Sequence, residues 1–75
     1  MNRTAVDSTT LASAGYDIAT NVLELEFRSG ALYHYFSVPL SLYRDLLAAD
    51  SKGRFFNHSI RNCFLQAKVS PPKTI

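Results

Sequence analysis

The sequence is poor in residues that staple, break or anchor a chain. It has one cysteine, Cys63. No disulfide forms within it, therefore, and no zinc site of the multi-cysteine kind can be assembled. No apolar run approaches the ~18 residues that span a bilayer. The opening MNRTAVDSTT lacks the apolar stretch of a secretory signal. Together these absences lead us to expect a reducing, cytoplasmic setting and no membrane partner. Charge of one sign is also scarce. Eight Lys and Arg against six Asp and Glu leave +2. That allows a basic patch without the dense positive charge of an obligate nucleic-acid binder. No segment repeats.

What is present is a core. The 75 residues are 47% apolar and 12% aromatic, which suits one small folded domain rather than a disordered chain. Residues 1–7 are polar and aperiodic. Residues 66–75 contain Pro71-Pro72, which cannot continue a helix. The expected folded unit is 8–65, with a flexible segment at each end.

Inside that unit the pattern predicts three strands and then two helices. TTLASAGY is the first strand, with Thr9, Leu11 and Tyr16 as its β-formers and a bulge or bend at Gly15. DIATN is a turn bounded by Asp17 and Asn21. In VLELEF, Leu23, Leu25 and Phe27 alternate with Glu24 and Glu26, giving one apolar face and one wet face. ALYHYF returns the chain. Helix one follows Pro39, whose φ is pre-set for a first helical turn, and Leu42, Tyr43, Leu46 and Leu47 form its apolar stripe. Asp50-Ser51 caps helix two, KGRFFNHSIRNCF, with Phe56, Ile60, Cys63 and Phe64 on its apolar face. The expected fold is α+β: a three-stranded antiparallel meander with both helices on one face.

The hairpin decides where two tyrosines go. A two-residue Ser29-Gly30 turn puts His34 on the core face and Tyr33 and Tyr35 on the wet one. A three-residue Arg28-Ser29-Gly30 loop does the reverse, because a one-residue slip exchanges the faces. Two-residue type I′ turns want positive φ at both central residues. Here only Gly30 takes it without strain. The longer loop also buries tyrosines rather than a histidine, and sets His34 opposite Glu24. We therefore expect Tyr33 and Tyr35 in the core with their hydroxyls at its margin.

Several spaced elements resemble a known family. Phe27, Gly30, Tyr33, Tyr35 and Pro39, then Tyr43, Leu46 and Leu47, then Gly53, Phe56, Asn57 and Ile60, follow the pattern of the KTSC domain. That module occurs at the C-terminus of some lysyl-tRNA synthetases and as short free-standing bacterial proteins. The resemblance covers about residues 8 to 65. It implies a small module without established activity, and it suggests RNA as a partner only by analogy with the synthetase.

The functional candidates are few. Arg54, His58 and Arg61 fall at helical spacing, with Lys52 at the helix start, Arg28 at the hairpin tip and Arg44 on helix one. This set reads either as a phosphate-contacting strip or as the solvated face of an amphipathic helix. His34 with Glu24 reads as an exposed cross-strand pair. His58 and Cys63, about 140° apart on an ideal helix, do not face each other as base and nucleophile, and Cys63 reads as an inert core thiol. Asn57 is expected to satisfy backbone groups beneath the helix. No metal set, cofactor motif or small-molecule substrate emerges, and the expectation is a non-enzymatic binding module. Its partner is RNA through the basic edge or, in the alternative, another protein or a second copy through a sheet edge or the second sheet face.

Overall fold

The chain reverses at Gly30, and that turn sets the register around it. In the computed structural model, which describes residues 3–69, the Phe27 N–H donates to the Ala31 carbonyl at 2.8 Å and the Gly30 N–H to the Phe27 carbonyl at 2.9 Å. Gly30 has φ +95°. This is the three-residue loop. It pairs Leu25 with Tyr33, Leu23 with Tyr35 and Glu24 with His34. The tyrosines share the core face with the leucines, as the turn chemistry requires.

The sheet has five antiparallel strands, not the three expected. They are β1 (Arg3–Ala5), β2 (Leu11–Asp17), β3 (Val22–Phe27), β4 (Leu32–Tyr35) and β5 (Gln66–Val69), in the spatial order β1-β2-β3-β4-β5. The two added strands come from the segments expected to be flexible. Both are short and mostly exposed, so neither shows an apolar alternation. They are held by ladder hydrogen bonds to β2 and β4. Pro71-Pro72 lies outside the described residues.

β2 carries its bulge between Leu11 and Ser13 rather than at Gly15. The physical reason is phase. Leu11 pairs with Phe27 and Ala14 with Leu25, so both must face the core although they stand three apart. An extra residue at Ala12 makes that spacing fit a two-residue period.

Helix α1 (Leu40–Ala48) begins directly after Pro39. Helix α2 (Lys52–Phe55) is capped by Ser51, whose hydroxyl accepts from the Arg54 N–H. α2 passes straight into a single π turn, Phe56–Ile60, closed by the Arg61 N–H on the Phe56 carbonyl at 2.8 Å. The chain then leaves helical geometry at Arg61, with ψ 127°, and turns at Asn62, with φ +62°. Helix two is thus shorter than its apolar periodicity suggested. Cys63 falls beyond its end and is exposed, not a core thiol.

Both helices pack over the tyrosine-bearing face. Leu23, Leu25, Tyr35, Leu46 and Ile60 are buried together with Phe56, while Phe27, Tyr33, Leu42, Tyr43, Leu47 and Phe64 pack half-buried around them. A second tie holds the segment before α1. The Tyr16 hydroxyl donates to the Val38 carbonyl, and the Val38 N–H donates to the Asn21 carbonyl at 2.9 Å. Tyr16 also stacks on Tyr43 of α1 at 5.3 Å.

Gly53 marks the tightest approach. A Cβ there would lie 2.6 Å from the Thr10 hydroxyl oxygen and 3.1 Å from its Cβ. At an open helical site Gly→Ala stabilises by up to about 1 kcal/mol. Here the sign should invert. Gly53→Ala is expected to destabilise by about 1–3 kcal/mol through overpacking, with part of the loss recovered by Thr10→Ala in the same chain. Urea midpoints of the wild type, the single variant and the double variant check it. Phe56→Ala should cost about 3–5 kcal/mol, enough to unfold so small a domain. A cooperative transition near the wild-type midpoint would contradict the packing described above.

Candidate functional site

The π turn separates two clefts on the helical side of the molecule. The first lies between the N-terminal turn of α2 and the loop joining β1 to β2. That loop is fastened. The Ser8 hydroxyl accepts from the Thr10 and Leu11 N–H groups at 3.1 Å each. The Arg28 guanidinium reaches back from the hairpin, donating to the Ser8 carbonyl at 2.9 Å and the Val6 carbonyl at 3.2 Å. Against this loop, with Gly53 touching Thr10, opens a cleft of about 500 Å³. Lys52, Arg54 and His58 line it, and so do Asp7 and Asp50.

The second cleft, about 410 Å³, lies on the other side of the turn, over the core face of β4. Its floor is aromatic. Phe56 meets Phe27 edge-to-face at 5.2 Å and Tyr35 at 5.8 Å, and Tyr33 meets Phe27 at 5.8 Å. Tyr33 and Tyr35 lie nearly parallel at 6.2 Å. Arg61 and Asn62 border it on one side, and Gln66 of β5 lies at its end. Tyr35 is 2% exposed, whereas Tyr33 and Phe27 are half-buried. Burial pushes the Tyr35 phenol up to about 12, helped by the neighbouring Tyr33 hydroxyl, with the Arg61 cation pulling the other way.

The six residues of the expected strip therefore separate. Arg54, His58 and Lys52 share the first cleft; Arg61 belongs to the second. The π turn is the cause, because its longer repeat breaks the spacing that places i and i+3 on one side. Arg28 spends its donors on the loop, and the Lys52 ammonium donates to the Ala49 carbonyl at 3.0 Å, beyond the end of α1. Arg44 is exposed on α1 and lines neither cleft. Asn57, expected to serve backbone groups beneath the helix, is exposed instead and lines the first cleft. Sequence reasoning placed the tyrosines mainly in the core with their hydroxyls at its margin; in the structure Tyr33 is half-buried and also walls a cleft. It had no signal for the loop at Ser8–Thr10, of which it read Thr9 and Thr10 as the start of the first strand.

On the opposite sheet face, His34 Nε2 lies 2.7 Å from Glu24 Oε1, and Arg3 Nε lies 3.4 Å from the other Glu24 oxygen. The Ser13 hydroxyl donates to Glu26 at 2.8 Å. These bonds tie β1 through β4 across the wet face. His34 is half-buried in this row rather than free in solvent. Among the described residues there is no cluster of three His, Cys, Asp or Glu side chains able to hold a metal ion. Nor is any helix among them long and apolar enough to cross a membrane.

Comparison with known proteins gives a consistent picture. The family model for the KTSC domain matches residues 7–64. An uncharacterized protein from Stutzerimonas stutzeri is 53% identical over 57 residues, covering 76% of this chain and 80% of that protein. A lysine–tRNA ligase from Nostoc sp. is 42% identical over 55 residues, which are 73% of this chain but 10% of the ligase. Among solved structures, the KTSC domain protein YPO2434 from Yersinia pestis superimposes with a TM-score of 0.90 at 38% identity, covering 92% of this chain and 97% of that one.

The buried phenol gives a test of the second cleft's floor. Tyr35 is held in its neutral form in the folded state, with its titration raised from 10.0 to about 12. Its stabilisation is present in full below the unfolded value and is lost as pH rises through the folded one. Urea midpoints measured from pH 9 upward should therefore fall more steeply for the wild type than for Tyr35→Phe. Parallel curves would show that the phenol is not buried as described.

Proposed function

The chain belongs to the KTSC domain family, and from that premise we propose that it is a small non-enzymatic module that binds single-stranded RNA through the first cleft. The observation that carries this reading is the convergence of Lys52, Arg54 and His58 on one open cleft beside a fastened loop. Donor side chains at such a rim, two of them cationic, contact phosphates, which gives affinity without sequence preference. The likeness to a segment of a lysine–tRNA ligase supports the same partner class by analogy. Asp7 and Asp50 on the cleft wall balance the formal charges of Lys52 and Arg54, so attraction is local to individual side chains and binding is weak. A cytoplasmic setting suits such a role.

A second reading has its own observation. Leu65 is 81% exposed and Phe36 37%, and the Phe36 N–H bonds the Leu65 carbonyl at 2.9 Å beside the β5 edge. An open edge strand with apolar neighbours suits a protein partner or a second copy.

Salt separates the two. Binding of a short single-stranded RNA should weaken steeply as salt rises. Arg54→Ala should flatten the slope of log affinity against log salt by roughly 0.7, the value of one lost single-strand contact. The Arg54 side chain is exposed, so the fold should be unchanged. A slope near zero in the wild type, together with concentration-dependent dimerisation in sedimentation, would favour the edge instead.

A further inference from the structure

The second cleft is not explained by phosphate contacts along α2. Its volume, about 410 Å³, lies in the range of small-ligand sites. Its chemistry is selective. Phe27, Tyr33, Tyr35 and Phe56 supply ring faces and edges, and among the described residues Arg61 is the one charged side chain lining it, with no acidic one. The first cleft, by contrast, carries two aspartates. Asn62 and Gln66 add amide donors and acceptors at the border. A planar ring with an anion attached meets every one of these groups. An aliphatic ligand would leave the amides and the guanidinium unused, and an aromatic side chain of a peptide would leave the cation without a partner.

We infer that the cleft between β4 and the π turn takes one unpaired nucleotide, its base against Tyr33 and its phosphate at Arg61. This deepens the RNA reading and rests on it for the strand, because the two clefts flank the π turn, where Phe56 lines one and the adjacent Asn57 lines the other. A strand whose phosphates pass Arg54 and His58 would deliver its next base over that turn. The same chemistry fits a free nucleoside monophosphate, so the test has to separate the two sources. Tyr33 is the residue placed to stack, because it is half-buried while Tyr35 beneath it is closed off. The raised phenol of Tyr35 agrees with a floor that excludes water.

The experiment is an NMR titration of the isotope-labelled full chain at low salt with adenosine monophosphate, uridine monophosphate and a short single-stranded RNA. Amide shifts are expected at Tyr33, Arg61, Asn62 and Gln66. Tyr33→Leu should weaken binding by about tenfold or more, the usual scale of one lost base stack. Tyr33→Phe should keep it, since the ring is retained. Arg61→Gln, an exposed change that leaves the core alone, should weaken monophosphates and RNA alike. Shifts in the cleft with RNA but not with monophosphates support a nucleotide held within a strand. Shifts with monophosphates and none with RNA support a free nucleotide and end the RNA reading. RNA shifts confined to Arg54 and His58, with Tyr33→Leu folded and binding at full strength, overturn the cleft assignment and leave the phosphate-binding reading standing. No shift with any of the three overturns both.

Discussion

The contact on which the rest depends is the edge-to-face packing of Phe56 on Phe27 and Tyr35. Phe56 is the residue at which α2 turns from α to π geometry. Its ring fixes that point of the helix over the hairpin half of the sheet, where β3 and β4 each contribute one aromatic. Edge-to-face pairs are worth about 0.5–1.5 kcal/mol beyond the area they bury. In a domain of this size two such pairs are a large share of the net stability. They also determine shape. Because rings meet edge to face rather than interdigitating like aliphatic chains, the packing leaves Tyr33 and Phe27 half-covered. The second cleft is what remains of the core face where the helix stops.

The opposite face solves a different problem. Glu24 stands between Arg3 and His34, and Glu26 accepts from Ser13. These pairs are individually small, of the order of 0.2–1 kcal/mol. Their value is in register. A strand such as β1, three residues long and exposed, has no apolar pattern with which to choose its partner residues. The Arg3–Glu24 pair supplies one point of specificity across β2 and the ladder does the rest. The row thus fixes an edge that hydrophobic burial leaves undetermined.

This explains what the sequence reveals and what it hides. The hairpin register was legible from Gly30, the one residue of Arg28-Ser29-Gly30 that takes positive φ easily, and from the cost of burying His34 instead of the tyrosines. With it came the tyrosine face and the Glu24–His34 pair. Pro39 and Ser51 marked both helix starts for local reasons of the same kind. The edge strands were hidden because QAKV and RTA are specified by their neighbours' unpaired backbone and, for RTA, by the Arg3–Glu24 pair, not by an apolar alternation of their own. Cys63 was misplaced because apolar spacing continues past the point where Arg61 and Asn62 leave helical geometry. Periodicity reports which residues are apolar; it does not report a π turn, which costs one residue of phase and shows no composition signal. The same phase shift separated Arg61 from Arg54 and His58. Half of the candidate site was therefore visible as a charge pattern, and the other half, the aromatic wall, was visible mainly as core.

The separation of the two clefts follows from that one turn. An uninterrupted α-helix through residue 64 would carry Phe56, Ile60, Cys63 and Phe64 as a continuous apolar stripe and Arg54, His58 and Arg61 as a continuous basic one. The stripe would cover the tyrosines, and the cations would look to open solvent. The π turn instead ends the helix early and swings Arg61 toward the face of Tyr33 and Tyr35, where its charge acts on the Tyr35 phenol. Burial is given up: Cys63 is exposed and Phe64 only half-covered. A small domain that forgoes apolar burial has little stability to spare. The sacrifice is understandable if the uncovered rings serve recognition, because a site that binds cannot also be closed by its own core.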